Sequence, residues 1–182
     1  MEREQSLAEH TLELVIAGFK STKKLGDGAL SQLDAEHVNW RPEPESNSPA
    51  VIVQHMVSNM ISRWTDFLTS DGEKPGRNRD EEFQDAISDI GELIAHWERG
   101  WAVLFAALES LGPDDLLRTV TIRGEPHTVL QAIHRQLTHY SYHTGQLVYI
   151  VKATKSAEWR TLSIAKGQSK AFNEQMLERS KK

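Results

Sequence analysis

Apolar residues recur at helical spacing in four long segments of this chain. Stretches rich in proline, glycine and charge separate those segments. A 3.6-residue period gives each segment one apolar stripe, and a stripe must be buried against a neighbour. Four such segments in one chain predict an all-α four-helix bundle.

The first helix is predicted over residues 6–33. Leu7, Leu14, Val15, Phe19, Leu25 and Leu30 lie close to one stripe, while Gly26 and Gly28 predict a kink or an early fray. The segment DAEHVNWRPEPESNSP is a connection with one short turn at 34–38. Ser48 caps the second helix and Pro49 takes its first position, where a missing N–H costs nothing. That helix is expected to reach residue 67 or 68. The stretch TSDGEKPGRNRDEE reads as a loop. The third helix is expected over 81–110, with Phe83, Ile87, Ile90, Ile94, Trp97, Trp101, Leu104 and Leu108 inward. Thr and Val alternate around Arg-Gly-Glu in TVTIRGEPHTV, which predicts a short hairpin. Thr128 and Gln131 form a capping box for a fourth helix running to about 152. Phe172 and Met176, four apart, predict a short extra C-terminal helix at 170–177. The whole reads as a single domain over 1–182, with its core at about 6–153 and a C-terminal extension at 154–182.

Composition excludes several classes. The net charge of −5 offers no cationic surface for nucleic acid. There is no cysteine, hence no disulfide, no zinc–cysteine site and no thiol nucleophile of the chain's own. The N-terminus MEREQSLAEH lacks the apolar run of a signal peptide. No stretch approaches the ~20 apolar residues of a membrane span. The expectation is a soluble cytoplasmic protein that binds neither nucleic acid nor membrane.

Of the eight histidines, His139 and His143 stand out. Four residues apart on the fourth helix, their rings share one face and can reach one ion. Ala132, Gln136, Gln146 and Ile150 complete that stripe. A third ligand should come from a facing helix. His55 lies on the face of the second helix that carries Ile52, Met56, Asn59 and Arg63. Three histidines with positions left over for water or substrate are the pattern of a catalytic metal site. Spacing alone leaves open hydrogen-bonded core histidines instead. His10, His37, His96, His127 and His134 have weaker claims.

The stretches LTHYSYHTGQLVYI and VIVQHM together resemble the DinB superfamily of four-helix-bundle proteins. NWRPEPESNSPAVIVQHMVSNMISRWTDFLTSDGEKPGRNRDEEF and IRGEPHTVLQAIHRQLTHYSYHTGQ are similar to an uncharacterised branch of it. The resemblance spans about 30–172. It implies an up-down-down-up bundle, a metal site of His55, His139 and His143 holding nickel, zinc or a similar divalent ion, and a homodimer. Some relatives are thiol transferases that use low-molecular-weight thiols such as bacillithiol or mycothiol.

Other residues extend the candidate site. Asn59 and Arg63 continue the His55 face. Arg63 can grip a carboxylate or phosphate, or else pair with Asp66 or a charge of the loop. Gln146 can orient a ring or a substrate, or simply pack. Tyr140 and Tyr142 read as packing residues, and Trp97 and Trp101 as core or interface. The loop DGEKPGRNRDEEF either presents Lys74, Arg77 or Arg79 to an anionic substrate or pairs its charges internally. The expected function is a metal-dependent enzyme on a small molecule, a thiol-dependent transferase or a hydrolase. The alternative is a non-catalytic, dimeric metal- or ligand-binding protein.

Overall fold

The computed structural model describes residues 6–181. Five helices follow in order: α1 Leu7–Leu30, α2 Pro49–Trp64, α3 Ile90–Glu109, α4 Val129–Lys155 and α5 Ser169–Arg179. A hairpin of β1 Thr119–Ile122 and β2 Glu125–Thr128 sits between α3 and α4. Its turn places Arg123 and Gly124 at positive φ, +57° and +75°, as a two-residue hairpin turn requires.

The first four helices form the expected bundle, up-down-down-up. Gly18 of α1 lies by Leu137 of α4 and Thr22 by Ser141, so these two helices run parallel. Gln54 of α2 bonds to the backbone ahead of α3, Gly100 packs on Val57 and Met60, and α2 and α3 are parallel too. The chain must therefore travel back the length of a helix between them, which it does over residues 65–89. Four 3₁₀ turns, Ala35–His37, Glu81–Phe83, Pro113–Asp115 and Ser156–Glu158, lie in the connections. The expected short turn at 34–38 is the first of these.

The core is aromatic at its centre. Trp97, Trp101, Tyr140, Phe19 and Trp64 are all buried. The Tyr140 hydroxyl accepts from Trp64 Nε1 at 3.1 Å and donates to Asn59 Oδ1 at 2.8 Å.

The structure corrects five expectations. The α1 stripe is rotated: Leu7, Leu14 and Leu25 face solvent, and Leu12, Phe19, Thr22, Gly26, Ala29 and Leu30 are buried. Gly26 and Gly28 neither kink nor end α1. Gly26 makes room for the Trp97 indole, which would lie 2.4 Å from an added Cβ, and Gly28 for Leu162. Helix α2 stops at Trp64, because Thr65 is extended and Asp66 takes φ +49°. Helix α3 begins at Ile90, where Asp89 caps it by accepting from Glu92 N at 2.8 Å. Phe83 and Ile94 are half exposed rather than inward. No residue of α5 is buried. Among the described residues no helix is long and apolar enough to cross a membrane.

Candidate metal centre

His55 lies mid-way along α2, whose every turn is packed by α3, α4 or the crossover. Helices α2 and α4 run antiparallel, so the middle of α2 meets the middle of α4, where His139 and His143 lie one turn apart. The three Nε2 atoms converge. His55 Nε2 is 3.3 Å from His139 Nε2, and His143 Nε2 is 3.1 Å from it. One ring nitrogen from each lies within 4.8 Å of the others. Among the described residues no other group of three potential ligands is brought together.

The far ring nitrogens fix the tautomers. His55 Nδ1 donates to Glu82 Oε2 at 2.9 Å, since a carboxylate can only accept. His143 Nδ1 donates to Gln146 Oε1 at 2.8 Å, while the Gln146 amide nitrogen donates to the Tyr142 hydroxyl at 3.0 Å. The Nε2 atoms of His55 and His143 therefore carry lone pairs, and both face His139 Nε2. One proton there cannot serve two lone pairs, whereas a cation can. The donor set, three imidazoles, suits a divalent metal. Burial, then the neighbouring His143, His55 and the Arg77 and Arg63 guanidiniums, push His139 down to about 3. Burial and His55 lower His143 as well, against the Gln146 bond. Both shifts favour the neutral ring, the form a metal needs.

Glu82 has no counterpart in the sequence reading. It is buried on the 3₁₀ turn of the crossover. Burial pushes its carboxyl up, and the bonds from His55 and Arg77 more than offset this, leaving it below the usual carboxylate range. Arg77 Nε lies 2.6 Å from Glu82 Oε1 and its Nη2 lies 2.9 Å from Oε2. Phe83, the next residue, stacks on the His55 ring with centroids 5.1 Å apart. A carboxylate on the far nitrogen of a ligand histidine is a common way to aim that ligand.

Residues 6–168 match a family described as "Protein of unknown function (DUF1572)". The chain belongs to the DUF1572 family. In fold, this DUF1572 chain is similar to a crystal structure of a DinB-like protein, YjoA, from Bacillus subtilis. The TM-score is 0.60 at 18% identity, over 81% of this chain and 96% of the other. The bundle is thus DinB-like, as the sequence resemblance implied. No curated protein matches the sequence.

The remaining predicted site residues have structural partners. Asn59 is buried and accepts from Tyr140. Arg63 is buried and donates to Glu73 Oε2 at 2.9 Å and to the Gly72 carbonyl, so its pairing lies within the loop rather than with Asp66. Gln146 touches the cluster directly, through His143. Of the loop cations, Arg79 is exposed, while Arg77 and Lys74 are engaged by neighbouring groups. Arg77 is bound to Glu82 and Glu73, and Lys74 Nζ donates to Ser70 Oγ at 2.7 Å and to the Asp71 carbonyl. Tyr140 packs in the core, and Tyr142 stands exposed beside Gln146. His10 and His134 are exposed, and His37, His96 and His127 lie outside the cluster.

Proposed function

We propose that this chain holds one divalent ion, nickel or zinc, on His55, His139 and His143, and works as a metal-dependent enzyme on a small molecule. The observation that carries the reading is the convergence of three Nε2 atoms, two of them with lone pairs fixed by Glu82 and Gln146. Such an ion supplies Lewis acidity that makes a thiol or water nucleophilic near neutral pH.

Between the two reactions, transfer of an external low-molecular-weight thiol is favoured over hydrolysis. Hydrolysis calls for a base facing the attacking water. The buried carboxylate at this site, Glu82, is turned to the far side of His55, and both its oxygens are engaged. A thiol, already acidic, needs no such base, and with no cysteine in the chain it must come from solution. Assembly as a homodimer, implied by the resemblance, belongs to the same proposal and is read by light scattering.

The test has two parts. Elemental analysis of protein grown with nickel and zinc should find about one equivalent of metal, and His139→Ala should find little. Conjugation of a small thiol to an electrophilic acceptor should then depend on that metal. Equal kcat/KM in wild type and His139→Ala would remove the metal from the reaction. Metal-dependent hydrolysis without thiol transfer would replace the transferase reading.

A further inference from the structure

We propose that Glu82 is the positioning residue for His55, and that through it metal loading and order in the 65–89 crossover are one thermodynamic unit. The inference rests on the metal-binding reading and goes beyond it, because it concerns what regulates the site.

A chain of charge contacts, buried at its His55 end, joins the cluster to the crossover. From His55 it runs to Glu82 at 2.9 Å, and from Glu82 to Arg77 at 2.6 Å. Arg77 reaches Glu73 at 3.5 Å, and Glu73 reaches Arg63 at 2.9 Å and Arg123 at 3.0 Å. The His55, Glu82 and Arg77 side chains are each at most 7% exposed. The path leaves α2 at His55, passes twice through the crossover, and ends back on α2 at Arg63 and on the hairpin at Arg123. A helix ligand, a loop and a hairpin turn are thus joined by charge.

Buried charges of this kind persist only while each keeps its partner. Glu82 has two: Arg77, which belongs to the crossover, and the His55 N–H. A cation on His55 Nε2 draws electron density from the ring and makes the Nδ1–H a stronger donor to Glu82. Metal therefore tightens the grip on Glu82, and with it on residues 72–84. By linkage the reverse holds equally: an ordered crossover, with Glu82 in place, holds His55 in the tautomer the metal requires. Phe83, stacked on the same ring, adds an apolar contact that is lost when the turn lifts. Between residues 73 and 84 the crossover is held by such point contacts, while Phe67, Leu68 and Ile87 near its two ends pack on the core. Residues 75, 76 and 78–81 are exposed, secondary structure in the crossover is confined to the 3₁₀ turn Glu81–Phe83, and a cavity of about 550 Å³ lies beside it, lined by Gln54, Ser58, Lys74, Arg77, Glu82 and His96 among others.

The experiment compares full-length wild type with Glu82→Gln and Glu82→Ala, each with and without nickel or zinc. Metal affinity is read by competition with a chromophoric chelator, and order by hydrogen exchange of peptides covering 72–84 and 137–146. In wild type, metal should slow exchange in both peptides. In the Glu82 variants the dissociation constant should rise about 10–100-fold, and saturating metal should still protect 137–146 while leaving 72–84 as fast as in the apo protein. A dissociation constant within about twofold of wild type, or full metal protection of 72–84 in Glu82→Gln, would overturn the coupling. Wild type that takes up no metal would overturn the metal reading itself, so the two failures look different. Circular dichroism of both variants checks folding. Should Glu82→Ala fail to fold, Glu82→Gln, which keeps the size and one acceptor, decides alone.

Discussion

At the scale of single residues, Tyr140 shows how a side chain one position from a ligand serves the frame instead. Its hydroxyl accepts a hydrogen bond from Trp64 and donates one to Asn59, all three groups being buried. Tyr140→Phe leaves an indole N–H and an amide oxygen unpaired, which costs about 1–3 kcal/mol. Urea unfolding should show that loss, with metal affinity unchanged because the ring and its packing remain. Metal affinity that falls with stability would place Tyr140 in the site. The histidine pair was legible because four residues is one turn, and spacing survives any tertiary detail. Glu82 was not. It reaches His55 from 27 residues away across a connection with no repeating pattern. In a run as charged as RNRDEEF, nothing in the sequence separates the one buried carboxylate from its exposed neighbours.

At the scale of elements, the glycines of α1 show packing overruling propensity. Alanine is ordinarily the better helix residue by about 1 kcal/mol. At Gly26 an added Cβ would sit 2.4 Å from a rigid indole that also donates to Asp27 Oδ1 at 2.7 Å. Gly26→Ala should therefore destabilise by about 1–3 kcal/mol. At Gly28 the obstacle is the Leu162 side-chain tip, which can turn aside, and the substitution should be near neutral. Thermal melts of the two variants side by side test the difference, and equal behaviour would refute it. Four helices were readable from period and caps. The start of α3 was misplaced because Phe83 and Ile87 continue its spacing backwards through the 3₁₀ turn. The capping signature Asp89-x-x-Glu92 marks the true boundary. The rotated stripe on α1 has a similar origin: leucines at 7, 14 and 25 share a face, but the glycine and alanine that admit Trp97 and close packing lie on the other.

For the whole molecule, stability should follow both metal and pH. An ion at about 100 times its dissociation constant adds about 2.7 kcal/mol, which for a chain of this size raises Tm by roughly 5–11 °C. Differential scanning calorimetry should find that rise in wild type and none in His139→Ala. The acid side depends on Asp71, which joins the crossover to the hairpin. Its carboxylate accepts from the backbone N–H of Glu73 at 2.7 Å and of Arg123 and Gly124 at 2.8 Å each, and these bonds hold it well below the usual carboxylate range. A depressed carboxylate stabilises the fold above its unfolded-state pKa, and that contribution fades as pH falls below about 4. Asp71→Asn should thus be less stable than wild type at pH 7 and should lose less on acidification from pH 5 to 3. Parallel acid profiles would show that Asp71 contributes nothing to the slope.

The three histidines also set a timetable. His55 and His139 are 84 positions apart, and at about 5–20 residues per second a ribosome takes roughly 4–17 s to get from one to the other. Until α4 emerges, α2 carries a ligand with nothing to share it. An ion held by all three histidines, as proposed above, would therefore be acquired after synthesis of the bundle, from the pool available to finished chains, and growth conditions at that moment would decide which metal a purified sample contains.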